Sequence, residues 1–151
     1  MPRSRRLLCV VYGIIALLAL IGTWSQNVAY FRADEGLAGF ALATARFWPA
    51  TLATPASVSI TVDIGLFFLA AAFLMVIEAR RLQIRFVWLY VLFGILIAIS
   101  VTFPLFLIAR ERRIVACGEG GADLGIGRAD TIALATLGLI SAVFTLWSLG
   151  H

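Results

Sequence analysis

The stretch PASVSITVDIGLFFLAAAFLMVI, residues 55–77, decides the fold. Apart from hydroxyl groups and one carboxylate it is apolar, and it is long enough to cross a bilayer, since a crossing helix needs about 20 such residues. Three more stretches of this kind occur, so that the predicted spans are residues 7–30, 55–77, 86–109 and 131–149. The sequence therefore predicts an all-α fold: a polytopic transmembrane four-helix bundle formed by a single membrane domain, residues 1–151.

The composition also indicates an integral membrane protein, with the lipid bilayer as its partner. Hydrophobic residues make up 62% of the 151-residue chain, whereas soluble domains are usually about 45–50% apolar. The basic residues are all arginines and form no long runs, which argues against binding to nucleic acid. The single histidine and the two cysteines form no metal-binding pattern, so neither a metal nor a cofactor is predicted. The glycine-rich stretch 117–130 lacks the lysine of a phosphate-binding loop and predicts a flexible connector.

Arginines next to the spans set the expected orientation. Arg3, Arg5 and Arg6 precede the first span, and positive charge favours the cytoplasmic side. Four crossings then place both termini in the cytoplasm and Cys9 and Cys117 on opposite sides of the membrane. This topology puts six arginines on each side, so the first helix decides the orientation. Arginine without lysine, together with many alanines, favours a bacterial source, and the predicted location is the bacterial cytoplasmic (inner) membrane.

The first outer loop is expected to contain a short helix. Apolar residues recur at helical spacing over residues 35–48, after an acidic start at residues 34–35. Pro49 is expected to end this helix, which would lie along the outer interface of the membrane. Thr54 and Pro55 are then typical of the N-cap and the first position of the next helix.

Asp63 is the one ionisable residue well inside a predicted span. It follows Pro55 by eight residues, which puts it about 12 Å below the outer boundary at about 1.5 Å per residue. A carboxyl group that faces hydrocarbon loses hydrogen bonds to water, at a cost of several kcal/mol, so Asp63 is expected to face the bundle. Its predicted partners are Asn27 and the region around Ser100, whose carbonyl group cannot accept a hydrogen bond from Pro104.

Other polar residues are expected to gather with Asp63 in the outer half of the bundle. The candidate binding residues are Gln26, Asn27, Arg46, Ser59, Asp63, Ser100, Thr102 and Arg110. In this arrangement Arg46 or Arg110 reaches the cluster from the interface. Two interpretations remain open: Asp63 ties helices together, or it belongs to a small polar pocket that opens outward, since intramembrane carboxylates are often functional.

Several landmarks of the chain occur in one known family. Asn27 is followed by TPASVSITVD, which ends at Asp63, then by EARR, and then by RFVWLYVLFGILIAISVTFPLFLIARERR. This order resembles the DUF2834 family of small bacterial membrane proteins over residues 7–113. The matching landmarks are Pro55, Ala56, Ser57, Asp63, Glu78, Arg80, Arg85, Trp88, Ser100, Pro104, Leu105, Phe106, Arg110 and Glu111. The resemblance implies an integral membrane protein of unassigned function and supplies no activity.

Three functions are compatible with these features. The first is a membrane protein that binds a lipid or an apolar small ligand, or that acts as an accessory membrane subunit; the small size of the bundle favours it. The second is a small membrane enzyme in which Asp63 acts as general acid on an isoprenoid or lipid substrate, although no second carboxylate lies at matching depth. The third is a transporter component, which would need oligomers or internal repeats, and no inverted repeat is evident.

Overall fold

The computed structural model describes residues 1–31, 36, 38–118 and 127–149 of the chain. These residues form helices and turns, with no strand in the described ranges. In chain order the helices are α1 (Arg3–Asn27), α2 (Gly39–Ala50), α3 (Pro55–Arg81), α4 (Val87–Phe93), α5 (Ile99–Ala116) and α6 (Arg128–Leu149). A 3₁₀ turn, Val28–Tyr30, extends α1, and a π-helical turn, Gly94–Ala98, joins α4 to α5.

The predicted fold class is confirmed. Four helical stretches are long and apolar enough to cross a membrane: Arg3–Tyr30, Pro55–Arg81, Val87–Ala116 and Arg128–Trp147. Each overlaps one of the spans predicted from the sequence. Large apolar side chains on these stretches, such as Leu17, Phe73 and Leu137, are exposed, as side chains that face lipid must be. The chain is therefore an all-α, multi-pass membrane protein.

The N-terminus of α3 lies where the sequence predicts it. The Thr54 side chain accepts a hydrogen bond from the Ser57 backbone N–H at 3.1 Å, and the Ser57 hydroxyl accepts one from the Thr54 N–H at 3.0 Å. This reciprocal capping box satisfies two backbone donors that would otherwise lack partners. Pro55 occupies the first turn, where its missing N–H costs nothing.

The short helix of the first loop is present but shifted relative to its prediction. It begins at Gly39 instead of residue 35 and continues through Pro49 to Ala50. Pro49 does not stop the helix because it lies one residue from the end, where it removes only one backbone hydrogen bond. Asp34, Glu35 and Leu37, which the prediction places at the start of the helix, lie outside the described residues.

The third apolar stretch folds back on itself. Ala98, the last residue of the π turn, is extended, with φ 179° and ψ 142°, and so interrupts the helix directly before α5. The ring centroids of Tyr90 and Phe106 lie 5.7 Å apart, whereas 16 residues of continuous helix would separate them by about 24 Å. The expectation that residues 86–109 run straight across the membrane is therefore wrong. Val87–Ala116 is a helical hairpin, called the hairpin below.

The hairpin turn is tightly packed at Gly94. A Cβ atom at Gly94 would lie 2.9 Å from Cε2 of Phe68 on α3 and 3.1 Å from Oγ1 of Thr102 on α5. Both distances are shorter than ordinary van der Waals contacts, so a larger residue would push α4 away from α3 and α5. Uniform hydrophobicity hides this turn in the sequence, because every residue around it is apolar or small.

Helix directions follow from contacts near the charged ends. Glu78 of α3 pairs with Arg110 of α5, and Phe67 contacts Phe103 further along both helices, with ring centroids 6.2 Å apart. The two helices therefore run parallel. Arg5, near the start of α1, pairs with Glu111 near the end of α5, so α1 runs antiparallel to α5. We call this end of the molecule the arginine end.

The opposite end of α1 carries α2 and is called the α2 end. Phe47 of α2 packs edge-on against Tyr30 at 5.7 Å, and Phe40 contacts Phe31 at 6.2 Å. Phe40 and Phe47 lie two turns apart on α2 but contact the adjacent residues Phe31 and Tyr30. Helix α2 therefore lies across the end of α1. The Thr61 hydroxyl donates to the carbonyl of Thr51 at 3.2 Å and so links the chain after α2 to α3.

The hairpin reaches about halfway through the molecule. Eleven residues separate Ile99, at the start of α5, from Arg110, which corresponds to about 17 Å of helix. A hydrocarbon core is about 30 Å thick, so the turn lies near its middle. Cys117, directly after α5, and Cys9, one turn after Arg5, both lie at the arginine end as free cysteines. The expectation that they lie on opposite sides is therefore wrong.

The tightest packing joins α3 to the hairpin. Met75 and Phe106 are completely buried there. The core cluster consists of Ala71, Met75, Ala79, Val87, Val91, Ile99 and Phe106. Helix α1 packs along α5, whereas α6 lies at the periphery, where its described side chains are mostly exposed. Contact between α1 and α6 is close at Gly22, because a Cβ atom there would lie 3.3 Å from Cγ2 of Thr145.

Candidate functional site

Charged side chains from three helices form one network at the arginine end. Arg5 of α1 pairs with Glu111 of α5. Nε of Arg110 donates to Oε2 of Glu78 at 2.7 Å, and Nη1 of Arg110 donates to Oε1 of Glu111 at 3.0 Å. Arg81 pairs with Glu78 at 3.2 Å. The network therefore ties the start of α1 to the ends of α3 and α5.

The centre of this network is shielded from solvent. The side chains of Arg5 and Glu111 are 10% and 4% exposed, whereas that of Arg81 is 56% exposed. A buried charge is tolerated when it is paired and hydrogen-bonded, and Glu111 meets this condition through two arginines. The Nε atom of Arg5 is buried and has no hydrogen-bond partner within the described chain.

An open groove of about 1290 Å³ lies beside this network, between the α3–α4 turn, α4 and α5. Its apolar lining comes mainly from Trp88, Leu89, Leu105 and Ile108, all within the hairpin. Its polar lining comes from Gln83, Arg80, Arg85, Arg112 and Arg113. The groove thus combines an apolar wall with a positively charged mouth.

Three of the groove arginines have no acidic partner among the described residues. Arg80, Arg85 and Arg112 are exposed, and none of them forms an ion pair within the described ranges. Arg113 differs, since its Nε donates to the carbonyl of Leu82 at 3.0 Å and so holds α5 against the α3–α4 turn. Glu78 is already occupied by Arg110 and Arg81. Within the described ranges, the groove therefore carries positive charge that no acidic side chain compensates.

The local backbone fixes this arrangement. After α3 the Ile84 N–H donates to the carbonyl of Ala79 at 2.8 Å, and Gln83 adopts a left-handed conformation, with φ 54°. This is a Schellman-type helix end. Phe86 is also left-handed, with φ 60°, and directly precedes α4. The tight turn keeps Arg80 and Arg85 on the same side of the molecule as Arg112.

The described residues do not assemble the predicted cluster around Asp63. Asp63 and Ser59 lie on an exposed face of α3, and Ser100 is exposed beside the hairpin turn. None of these three side chains is hydrogen-bonded to any part of the chain that the structure describes. The expectation that Asp63 faces the bundle is therefore wrong. Its preferred partner Asn27 lies near the α2 end, half-buried and without a hydrogen bond to Asp63.

The other predicted site residues are dispersed. Gln26 is exposed, and Thr102 is buried with its hydroxyl directed to the carbonyl of Ala98 at 3.4 Å. Arg46 donates to the carbonyl of Tyr30 at 3.3 Å, at the α2 end. Arg110 lies at the opposite end, so its predicted role as a cation for the Asp63 cluster is wrong. The reason is the hairpin, which returns α5 to the side from which α4 starts.

Two short motifs in the sequence point to the arginine end. EARR, residues 78–81, and RERR, residues 110–113, each combine one glutamate with arginines at the end of an apolar stretch. If the third span crossed the membrane as a straight helix, EARR and RERR would lie on opposite sides of the membrane. The sequence nevertheless contains one signal that the two motifs lie close together. A glutamate at a membrane boundary needs a cationic partner, and each motif offers arginines to the glutamate of the other.

A family model described as a protein of unknown function, DUF2834, matches residues 11–112. The chain belongs to the DUF2834 family. No curated protein and no solved structure matches it. The family match confirms the resemblance carried by the TPASVSITVD, EARR and RERR stretches. The DUF2834 region contains α2, α3, the hairpin turn and the groove arginines up to Arg112, and it ends before α6. The matched part of the chain thus supplies Arg80, Arg85 and Arg112 of the groove, whereas Arg5 and Arg113 lie just outside it.

Proposed function

We propose that this protein binds an anionic lipid in the groove at the arginine end. The observation that carries the proposal is the convergence of Arg80, Arg85 and Arg112 on a groove whose other wall is apolar. None of the three arginines is paired with an acid in the part of the chain that the structure describes. Basic pockets at the ends of membrane helices are suited to phosphate head groups. Guanidinium groups bind phosphate through two parallel hydrogen bonds, which favours arginine at such sites.

The two halves of the groove match the two halves of a lipid. A phosphate head group would lie among the arginines, and acyl chains would lie along Leu105 and Ile108 towards the hydrocarbon. Trp88 is exposed in the groove, and tryptophan is favoured at the boundary between head groups and acyl chains. A soluble phosphate compound would use the arginines but leave the apolar wall uncovered.

We further propose that the arginine end faces the cytoplasm of a bacterial inner membrane. Nine of the twelve arginines belong to α1 before Cys9, the end of α3 with its turn, or the end of α5: Arg3, Arg5, Arg6, Arg80, Arg81, Arg85, Arg110, Arg112 and Arg113. Positive charge near membrane helices favours the cytoplasmic side. Anionic lipids of the cytoplasmic leaflet would then meet the groove directly.

The proposal is tested by lipid quenching of Trp88 fluorescence. A variant with Trp24, Trp48 and Trp147 replaced by phenylalanine keeps Trp88 as its only tryptophan and is placed in nanodiscs. Brominated phosphatidylglycerol is expected to quench Trp88 more strongly than brominated phosphatidylcholine at equal mole fraction. Arg80→Gln, Arg85→Gln and Arg112→Gln together should remove this preference, since each arginine contributes about 1 kcal/mol of attraction to anionic lipid.

A matched control distinguishes the effect of the groove arginines from the effect of lowering the positive charge of the protein. Arg3→Gln, Arg6→Gln and Arg128→Gln together remove the same charge from exposed positions that do not line the groove. This variant should keep the preference for phosphatidylglycerol. An equal loss in both triple variants would refute a specific site. Inorganic phosphate added to phosphatidylcholine nanodiscs tests the other source of the same chemistry; if it alone protected the groove arginines from modification by phenylglyoxal, a soluble phosphate compound would be the ligand.

A further inference from the structure

Helix α3 carries polar side chains on the face that points away from the rest of the described chain. Ser59 and Asp63 are exposed and lie one helical turn apart. Asp63 follows Pro55 by about 12 Å of helix and precedes Glu78 by about 22 Å. Since the hydrocarbon core is about 30 Å thick, the carboxyl group lies within it, in the half nearer the α2 end.

Ser100 is a third exposed polar residue at the depth of Asp63. The contact between Phe67 and Phe103 brings α3 and α5 to the same level. Asp63 lies one turn from Phe67, and Ser100 lies almost one turn from Phe103, in the same direction along the parallel helices. Pro104 cannot donate to the carbonyl of Ser100, which leaves a second acceptor at this depth. We call Ser59, Asp63 and Ser100 the polar patch.

Hydrocarbon cannot satisfy the polar patch. Lipid tails offer no hydrogen-bond donor or acceptor, and a carboxyl group in their midst is unfavourable whether ionised or protonated. The described chain supplies no partner for Asp63. Lipid head groups lie about 12 Å away along the helix, which is further than the short side chain of aspartate reaches. A polar group from outside the described residues must therefore cover Asp63, and another membrane protein chain can supply one.

We propose that a second copy of this chain covers the polar patch, so that two α3 helices pair about a two-fold axis parallel to the membrane normal. Such an axis places each Asp63 opposite its counterpart at equal depth. A carboxylic acid is complementary to itself, because a protonated carboxyl group donates one hydrogen bond and accepts another. Two facing Asp63 side chains that hold at least one proton between them therefore satisfy each other without a further cation.

The surroundings of Asp63 permit close approach of the two helices. Ala56 and Ala70 lie two turns before and after Asp63 on the same face of α3, and both are exposed. Small residues at helix contacts in membranes let the backbones approach and hydrogen bonds form between them. The interface is distinct from the groove, which is formed by the other end of α3 together with the hairpin.

Disulfide cross-linking tests the geometry of this pair. In the full chain with Cys9→Ser and Cys117→Ser, single cysteines replace Ala56, Ser59 or Ala70 on the patch face, or Val62 or Ile64 on flanking faces. The two control positions are 54% and 50% exposed and lie next to Asp63 in depth. Oxidation of native membranes should give covalent dimers at the three patch positions only, because a disulfide needs Cα atoms within about 7 Å. Dimers at all five positions, or at none, would overturn the proposal.

The role of the carboxyl group is tested by two substitutions. Asp63→Asn keeps a self-complementary polar group and should still dimerise in nanodiscs, as measured by native mass spectrometry. Asp63→Leu should remain helical and monodisperse but weaken dimerisation by about tenfold, the size of a hydrogen bond between membrane helices. Dimerisation equal to wild type in Asp63→Leu would overturn the proposal. So would a photo-cross-linker at Ser59 that gives adducts only with a different protein, since that result assigns Asp63 to a foreign partner.

Discussion

At the scale of single residues, the pairing of Arg5 with Glu111 is the most demanding contact of the chain. Both side chains are buried, and Glu111 also accepts a hydrogen bond from Arg110. Bringing two charges out of water is unfavourable, so such a pair adds little net stability by itself. Removing one partner is much worse, because it leaves the other charge buried and alone. The pair therefore acts as a specific link between α1 and α5.

Glu111→Gln should lower the free energy of unfolding by about 3 kcal/mol, since Arg5 then keeps its charge without a carboxylate. Arg6→Gln, one residue away and exposed, should change it by less than about 0.5 kcal/mol. Replacing Arg5 and Glu111 together by methionine should recover most of the loss. Chemical unfolding in mixed micelles measures all four proteins. A Glu111→Gln variant as stable as the Arg6→Gln variant would show that the pair is not the link described here.

At the scale of elements, the sequence predicts that the helices exist and how long they are better than it predicts the directions in which they run. Four apolar stretches, the cap at Thr54 and the short α2 follow from periodicity and composition, which depend on neighbours along the chain. The fold-back at Ala98 depends instead on contacts between residues far apart, such as Tyr90 with Phe106. No breaker residue marks it, and Gly94 alone is common in membrane helices. The candidate site could be predicted only in part for the same reason. Its arginines are evident in the sequence, but only the hairpin brings them close together.

Gly94→Ala tests the close packing of the hairpin turn. The added methyl group would lie 2.9 Å from the Phe68 ring, so the substitution should destabilise the protein by about 1–3 kcal/mol, as overpacking does elsewhere. Gly65→Ala is the matched control in α3, because no atom lies within 4 Å of the added methyl group. It should be neutral or slightly stabilising, since alanine is the better helix former. Equal stability of the two variants in thermal unfolding would contradict the tight turn.

At the scale of the whole molecule, the hairpin changes the charge balance across the membrane. Four straight crossings distribute the arginines evenly, which leaves the orientation weakly determined. When the hairpin enters and leaves on one side, Arg110, Arg112 and Arg113 join Arg80 and Arg85 at the arginine end. The same fold-back leaves Asp63 beside the turn of the hairpin, where no other described helix covers it. One structural feature thus accounts for the charge asymmetry and for the uncovered carboxyl group.

The proposed orientation leads to a prediction that distinguishes three membrane crossings from four. With the arginine end in the cytoplasm, Cys117 lies inside and the α2–α3 connection lies outside. In a Cys9→Ser background, Cys117 should react with an impermeant maleimide only after cells are permeabilised. A cysteine that replaces Leu52, which is 59% exposed at the α2 end, should react in intact cells once Cys117 is also replaced by serine. Because α6 starts after the hairpin returns, a C-terminal alkaline phosphatase fusion should be active and a green fluorescent protein fusion dark. Labelling of Cys117 in intact cells, with a fluorescent C-terminal fusion, would mean that residues 87–116 cross the membrane and that both termini are cytoplasmic.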